Sequence, residues 1–160
     1  MLSVKLICVG KMKEKFFIDA VEEYSKRLQA YCRFEVEELS EQRLSDKPSP
    51  AEIRAALEKE AQEIEKHIPN GAAVVAMCVE GVQKSSPELS TVLDGFANAG
   101  KSRICFLIGG SYGMSEELKK KAALRLSMSK MTFPHHLARV MLCEQIYRAF
   151  TIREGSKYHK

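Results

Sequence analysis

Tryptophan is absent from this chain of 160 residues, and no apolar stretch is long enough to cross a bilayer. The first absence argues against an aromatic base-stacking sheet. The second argues against a membrane partner. Neither H-E-x-x-H nor C-x-x-C occurs, so no metal site is expected. Met1–Ile7 lacks the basic start, long apolar run and small-residue cleavage site of a secretion signal, which makes the cytoplasm the expected compartment. The five cysteines (Cys8, Cys32, Cys78, Cys105 and Cys143) are odd in number and scattered, as reduced thiols are. Nor is the charge lopsided: a net +4 favours a polyanionic partner without requiring one. What remains is 45% hydrophobic and 29% charged, enough to fold as one compact domain over 1–160 with a sizeable core.

Strand and helix patterns alternate along the chain. Ser3–Val9 is a short apolar run ending at Gly10, and Arg33–Leu39 alternates as a half-exposed strand does. Between them, Phe17, Val21, Tyr24 and Leu28 recur at helical spacing over Lys13–Leu28. Ser49-Pro50-Ala51-Glu52 combines an N-cap serine, a proline at the first helical position and a capping-box glutamate. The apolar run Ala72–Val79 predicts a strand covered on both faces. Ser86-Pro87 opens a helix that stops near Asn98-Ala99-Gly100, and Arg103–Ile108 is a further buried strand. Ser115 caps a short helix, Leu124–Ser129 is short and alternating, and a last helix spans roughly His136–Ile152. This alternation predicts one α/β domain with a mostly parallel sheet.

Gly95-Phe96-Ala97-Asn98-Ala99-Gly100-Lys101-Ser102 matches the P-loop expression, but a helix precedes it and a strand follows, the reverse of what phosphate binding needs. A helix C-cap is the better reading. Gly109-Gly110-Ser111-Tyr112-Gly113 has the right context, because glycines directly after a buried parallel strand let backbone approach a ligand. It reads equally as a plain turn. Ser127–His135 offers small hydroxyls for an adenine edge, with methionines and Phe133 for its flat face, or else an ordinary loop. The Lys119-Lys120-Lys121 run reads as a solvated helix end, and His135-His136 as a cap or surface pair. The tail residues Tyr158, His159 and Lys160 are either disordered or in contact with RNA.

Leu107–Gly113, then Leu126–His135, then Arg139-Val140 and Glu144–Phe150, closing on Tyr158-His159, together resemble the ribosomal RNA large-subunit methyltransferase H family of the SPOUT superfamily. The resemblance runs essentially the whole length and includes Val9–Lys13. It implies a trefoil knot in about 103–152, a feature no periodicity would have suggested. It also implies a homodimer and S-adenosylmethionine as cofactor with no metal. The implied reaction is methylation of N3 of a pseudouridine in large-subunit rRNA within the assembled ribosome. The family's cofactor positions fall here on Met77 (leucine in the family), Gly109, Gly110 and the run Met128, Ser129, Lys130, Met131, Thr132 and Phe133. Ser111 and Tyr112 stand where members vary.

The imide N3 must lose a proton, which calls for a nearby cation or base. Arg139, His135, Tyr158 and His159 are the candidates, with the tail reaching over the partner's pocket. The last helix carries Leu137, Val140, Met141 and Tyr147 on one side and Leu142, Ile146, Ala149 and Phe150 on another, so one face is assigned to a dimer interface. Two rivals stay open: a related methyltransferase acting on tRNA, and a silent knotted protein that binds RNA or the ribosome.

Overall fold

The computed structural model describes residues 1–160. Five strands, β1 (Ser3–Val9), β2 (Arg33–Leu39), β3 (Ala73–Gln83), β4 (Arg103–Ile108) and β5 (Leu124–Ser127), form one parallel sheet in the order β2-β1-β4-β3-β5. Five helices alternate with them: α1 (Lys15–Leu28), α2 (Pro50–His67), α3 (Ser86–Asn98), α4 (Glu116–Lys120) and α5 (His135–Arg153).

The crossover directions dictate the layers. The connections through α1 and α3 step toward the β2 edge, and those through α2 and α4 step toward the β5 edge. Right-handed crossovers therefore place the two pairs on opposite faces of the sheet. The core divides accordingly. Val21, Leu28, Leu89 and Leu93 meet Leu6, Phe106 and Ile108 on one face, while Ala61, Ile64 and Leu118 meet Ile7, Val9 and Leu107 on the other. Helix α5 returns to the α1/α3 face, where Leu142, Cys143, Ile146, Ala149 and Phe150 are fully buried. Each large apolar side chain buried there contributes about 1.5–3 kcal/mol.

Local signals placed several boundaries. Ser49 caps α2 with the reciprocal Glu52 contact, and Pro50 opens the helix. Ser85, one residue before the serine read from sequence, caps α3 in the same way with Glu88. At the P-loop look-alike, α3 ends at Asn98, Gly100 takes φ +82°, and the Lys101 amide bonds back to the Phe96 carbonyl. The segment is a helix C-cap. All five cysteines are free, and no helix is long and apolar enough to cross a membrane.

Two strands differ from their sequence pattern. β5 stops at Ser127 rather than Ser129, because the Ser127 hydroxyl donates to the Ser129 carbonyl and the Ser129 hydroxyl accepts from the Met131 amide, curling the chain away. β3 runs on to Gln83, but its pairing with β5 breaks: Met77 and Val82 both face Leu126. Cys78–Gly81 is thus an excursion from the ladder. Gly81 permits it, since a Cβ there would lie 2.8 Å from the Arg125 and Leu126 backbone.

Candidate active site

A cavity of about 590 Å³ opens at the C-terminal ends of β3 and β4, within the range typical of small-molecule sites. Three segments wall it: the β3 excursion with Met77, the loop Gly109–Met114 after β4, and the stretch from Met128 to His135 after β5. Half of its lining is hydrophobic.

The glycines fix the first loop. Gly113 takes φ +81° and its amide donates to the Gly110 carbonyl at 3.0 Å, closing a tight turn. A Cβ on Gly109 would collide with the Gly113 carbonyl, and one on Gly110 would sit 2.5 Å from Glu41 Oε1. Glu41, from the segment after β2, accepts the Ser111 amide at 2.8 Å and braces the loop from outside. The turn can close, and Glu41 can seat against it, only because these positions lack side chains.

The structure gathers Met77, Gly109, Gly110, Met128, Ser129, Met131, Thr132 and Phe133 around this one cavity. Lys130 lies within the same run but is exposed and does not line it. Apolar walls from Met77, Met128 and Phe133, a glycine cradle and a loop of small hydroxyls fit the adenosine part of S-adenosylmethionine. No group of three or more metal-ligating side chains is assembled.

The four candidate acid–base residues are not brought together within one chain. His135 lines the cavity as the first residue of α5, half-buried and edge-on to His136 at 4.3 Å. Its cap position is Pro134, and no side chain caps this helix, so His135 is not a helix cap. Burial, and secondarily His136, pushes its pKa below the usual 6.5 and favours the neutral ring. Arg139 does not face the cavity. It is wholly buried, with Nη1 on Glu38 at 2.5 Å, Nη2 on the Gly10 carbonyl at 2.9 Å and Nε without a partner. Glu38 also accepts the Met12 amide at 2.9 Å, so the pair ties the ends of β1 and β2 to α5.

Tyr158 and His159 sit at the other end of α5, against Glu144, Arg148 and Tyr147. Arg148 lies 13 positions beyond His135, about 20 Å along the helix at 1.5 Å per residue. Within one chain, the tail and the cavity are separate.

Sequence reasoning missed Cys78, Val79, Glu80 and Lys119, all of which line the cavity. Lys119 is also a correction: its side chain is only 13% exposed and pairs with Glu80 at 2.5 Å, whereas Lys120 and Lys121 are solvated. The one available signal was a glycine, Gly81, interrupting a strand-like run.

Comparison with known proteins agrees with this geometry. Residues 2–159 match the family described as predicted SPOUT methyltransferase. Two relatives named Ribosomal RNA large subunit methyltransferase H, from Streptococcus pyogenes serotype M12 (strain MGAS2096) and serotype M49 (strain NZ131), are each 46% identical over 159 residues, spanning 99% of this chain and 100% of theirs. A solved structure described as a probable methylase family protein from Haemophilus influenzae Rd KW20 aligns with a TM-score of 0.53 at 11% identity, covering 98% of this chain and 70% of that one. That likeness concerns the fold alone. On the matched length and the shared identity, this chain belongs to the SPOUT methyltransferase family.

Proposed function

We propose that this protein is a cytoplasmic homodimer that transfers a methyl group from S-adenosylmethionine to N3 of a pseudouridine in large-subunit rRNA, within the assembled ribosome. One observation carries the reading: a cavity walled by the Gly109–Gly110 loop and Met128–Phe133 in a chain whose full-length relatives bear the name of an rRNA methyltransferase. When bound, S-adenosylmethionine supplies a methyl group already activated on sulfur, so the protein's own task is alignment and proton removal.

Met77, Met128 and Phe133 pack the adenine, while Gly109, Gly110, Ser129, Met131 and Thr132 bring backbone to its edges. Lys130, exposed beside them, offers its ammonium to an RNA phosphate. His135 is the base: its neutral ring, favoured by burial, accepts the N3 proton of the incoming pseudouridine. Arg139 acts as a positioning residue, holding the first turn of α5 against β1 and β2 so that His135 stays at the cavity wall. Tyr158 and His159 complete the site from the partner protomer.

Homodimerisation is supported by α5, none of whose 19 residues is exposed, although Leu137, Val140 and Met141 remain only half-buried in the single chain. A two-fold interface along that stripe brings one protomer's tail toward the other's cavity. The knot over about 103–152 is supported by the chain path. From the edge strand β5 the chain passes β3 and β4 to set His135 beside Gly10, 3.8 Å from where a Cβ there would lie.

Calorimetric titration of S-adenosylmethionine into the wild type and Gly110→Trp tests the site. Binding that the substitution abolishes is the expected result. Absence of wild-type binding at millimolar ligand, with or without ribosomes, would replace this reading with a silent ribosome-binding protein. Methylation assays on 70S ribosomes and tRNA then separate the two RNA substrates.

A further inference from the structure

Of the 20 residues lining the cavity, only Glu80 and Lys119 carry a full charge. They come from elements far apart in sequence: Glu80 from the excursion that breaks the β3–β5 ladder, Lys119 from α4 on the adjoining connection. Their side chains meet at 2.5 Å, and Glu116 lies 3.8 Å from the same ammonium. The Lys119 side chain is 13% exposed while that of Glu80 is 50% exposed. A lysine taken largely out of water beside an apolar cavity loses hydration that the half-exposed Glu80 and the more distant Glu116 only partly replace. The excursion depends in turn on Gly81, whose missing Cβ lets the chain lie against the β5 backbone. The fold thus departs from regular sheet geometry and brings an acid and a base into an otherwise uncharged wall.

We infer that this pair reads the amino-acid arm of S-adenosylmethionine, Glu80 receiving its ammonium and Lys119 its carboxylate. The inference rests on the cofactor reading above. The arm is a zwitterion, and an acid–base pair fixed side by side presents the complementary arrangement of charge. Glycines and methionines account for the adenosine, but nothing else lining the cavity offers a full charge to either end of the arm. A lone anion or cation there would select one end only.

The test compares two ligands that differ in this arm alone. S-adenosylhomocysteine carries it, and 5′-methylthioadenosine ends in a methyl group. Calorimetric titration is made with the wild type, Glu80→Gln and Lys119→Met. Each substitution should weaken S-adenosylhomocysteine by about tenfold, the effect of losing one charge-assisted hydrogen bond, and leave 5′-methylthioadenosine within about twofold. Retained binding of 5′-methylthioadenosine also shows that the variant pocket is folded. Equal weakening of both ligands would assign the pair to the ribose or to the wall itself, and unchanged affinity for both would mean the charges are not read. Either result overturns the inference while leaving the cofactor reading intact. If the wild type binds neither ligand, the cofactor reading falls, and this inference with it.

Discussion

The two edges of the sheet use the same residue types for different ends. Near the amino-terminal edge, Gly71 and Gly100 take positive φ, and a Cβ on either would meet nothing within 4 Å. Lys101 and Arg103 there donate to the carbonyls of Gly71 and Asn70, joining neighbouring turns. Near the carboxyl-terminal edge, Gly81, Gly109 and Gly110 have negative φ or extended backbone, yet a Cβ on any of them would lie within 3 Å of protein atoms. Glycine serves chain reversal alone at the first edge, whereas at the second it serves both reversal, at Gly113, and close approach. The charged residues diverge likewise: Arg103 is exposed, whereas Arg139 and Lys119 are withdrawn from water beside the site. Tolerance of substitution should follow this division.

The largest effect is expected at Glu38. Glu38→Ala leaves the wholly buried Arg139 guanidinium without its carboxylate and should cost about 3–5 kcal/mol, read from urea unfolding. A loss no larger than that of a surface salt bridge would mean that Arg139 escapes to solvent. Next comes Gly109→Ala, whose methyl group runs into the Gly113 backbone; a loss of about 1–3 kcal/mol and of S-adenosylmethionine binding is expected.

Gly95→Ala sharpens the contrast in the opposite direction. It lies inside α3 with open space around it, so thermal unfolding should show a gain of about 0.5–1 kcal/mol with cofactor binding unchanged. Lys101→Ala, away from the site, should stay within about 0.5 kcal/mol of wild type.

The smallest effect concerns pH. The folded-state pKa of His135 lies below 6.5, so the unfolded chain binds its proton first as pH falls. Its contribution to stability is therefore full above pH 6.5, declines as pH drops below that value, and levels off once the folded state is protonated too. The fall in melting temperature between about pH 7.5 and 5 should be shallower in His135→Gln than in wild type. Identical slopes would show that the ring is not withdrawn from solvent.

Much of this molecule follows from local pattern alone. Apolar runs placed β1 and β4, and alternation placed β2, at their observed limits, and a serine with a glutamate three residues on marked the start of α2. The glycine and hydroxyl loops read equally well as plain connections, and only the fold showed that both line one cavity at the ends of β3 and β4. The family was legible because its motifs are short and ordered along the chain.

Tertiary structure alone decided which charges enter the site. Lys119 was indistinguishable from Lys120 and Lys121 until β3 left its ladder with β5 and set Glu80 against it. Arg139 looked like a reactive cation in sequence, yet Glu38 and the Gly10 carbonyl, 101 and 129 positions away, hold it in the core. Secondary structure is fixed by neighbours in the chain, which a sequence displays directly. The burial and pairing of a charge depend on groups that only folding brings within a few ångströms.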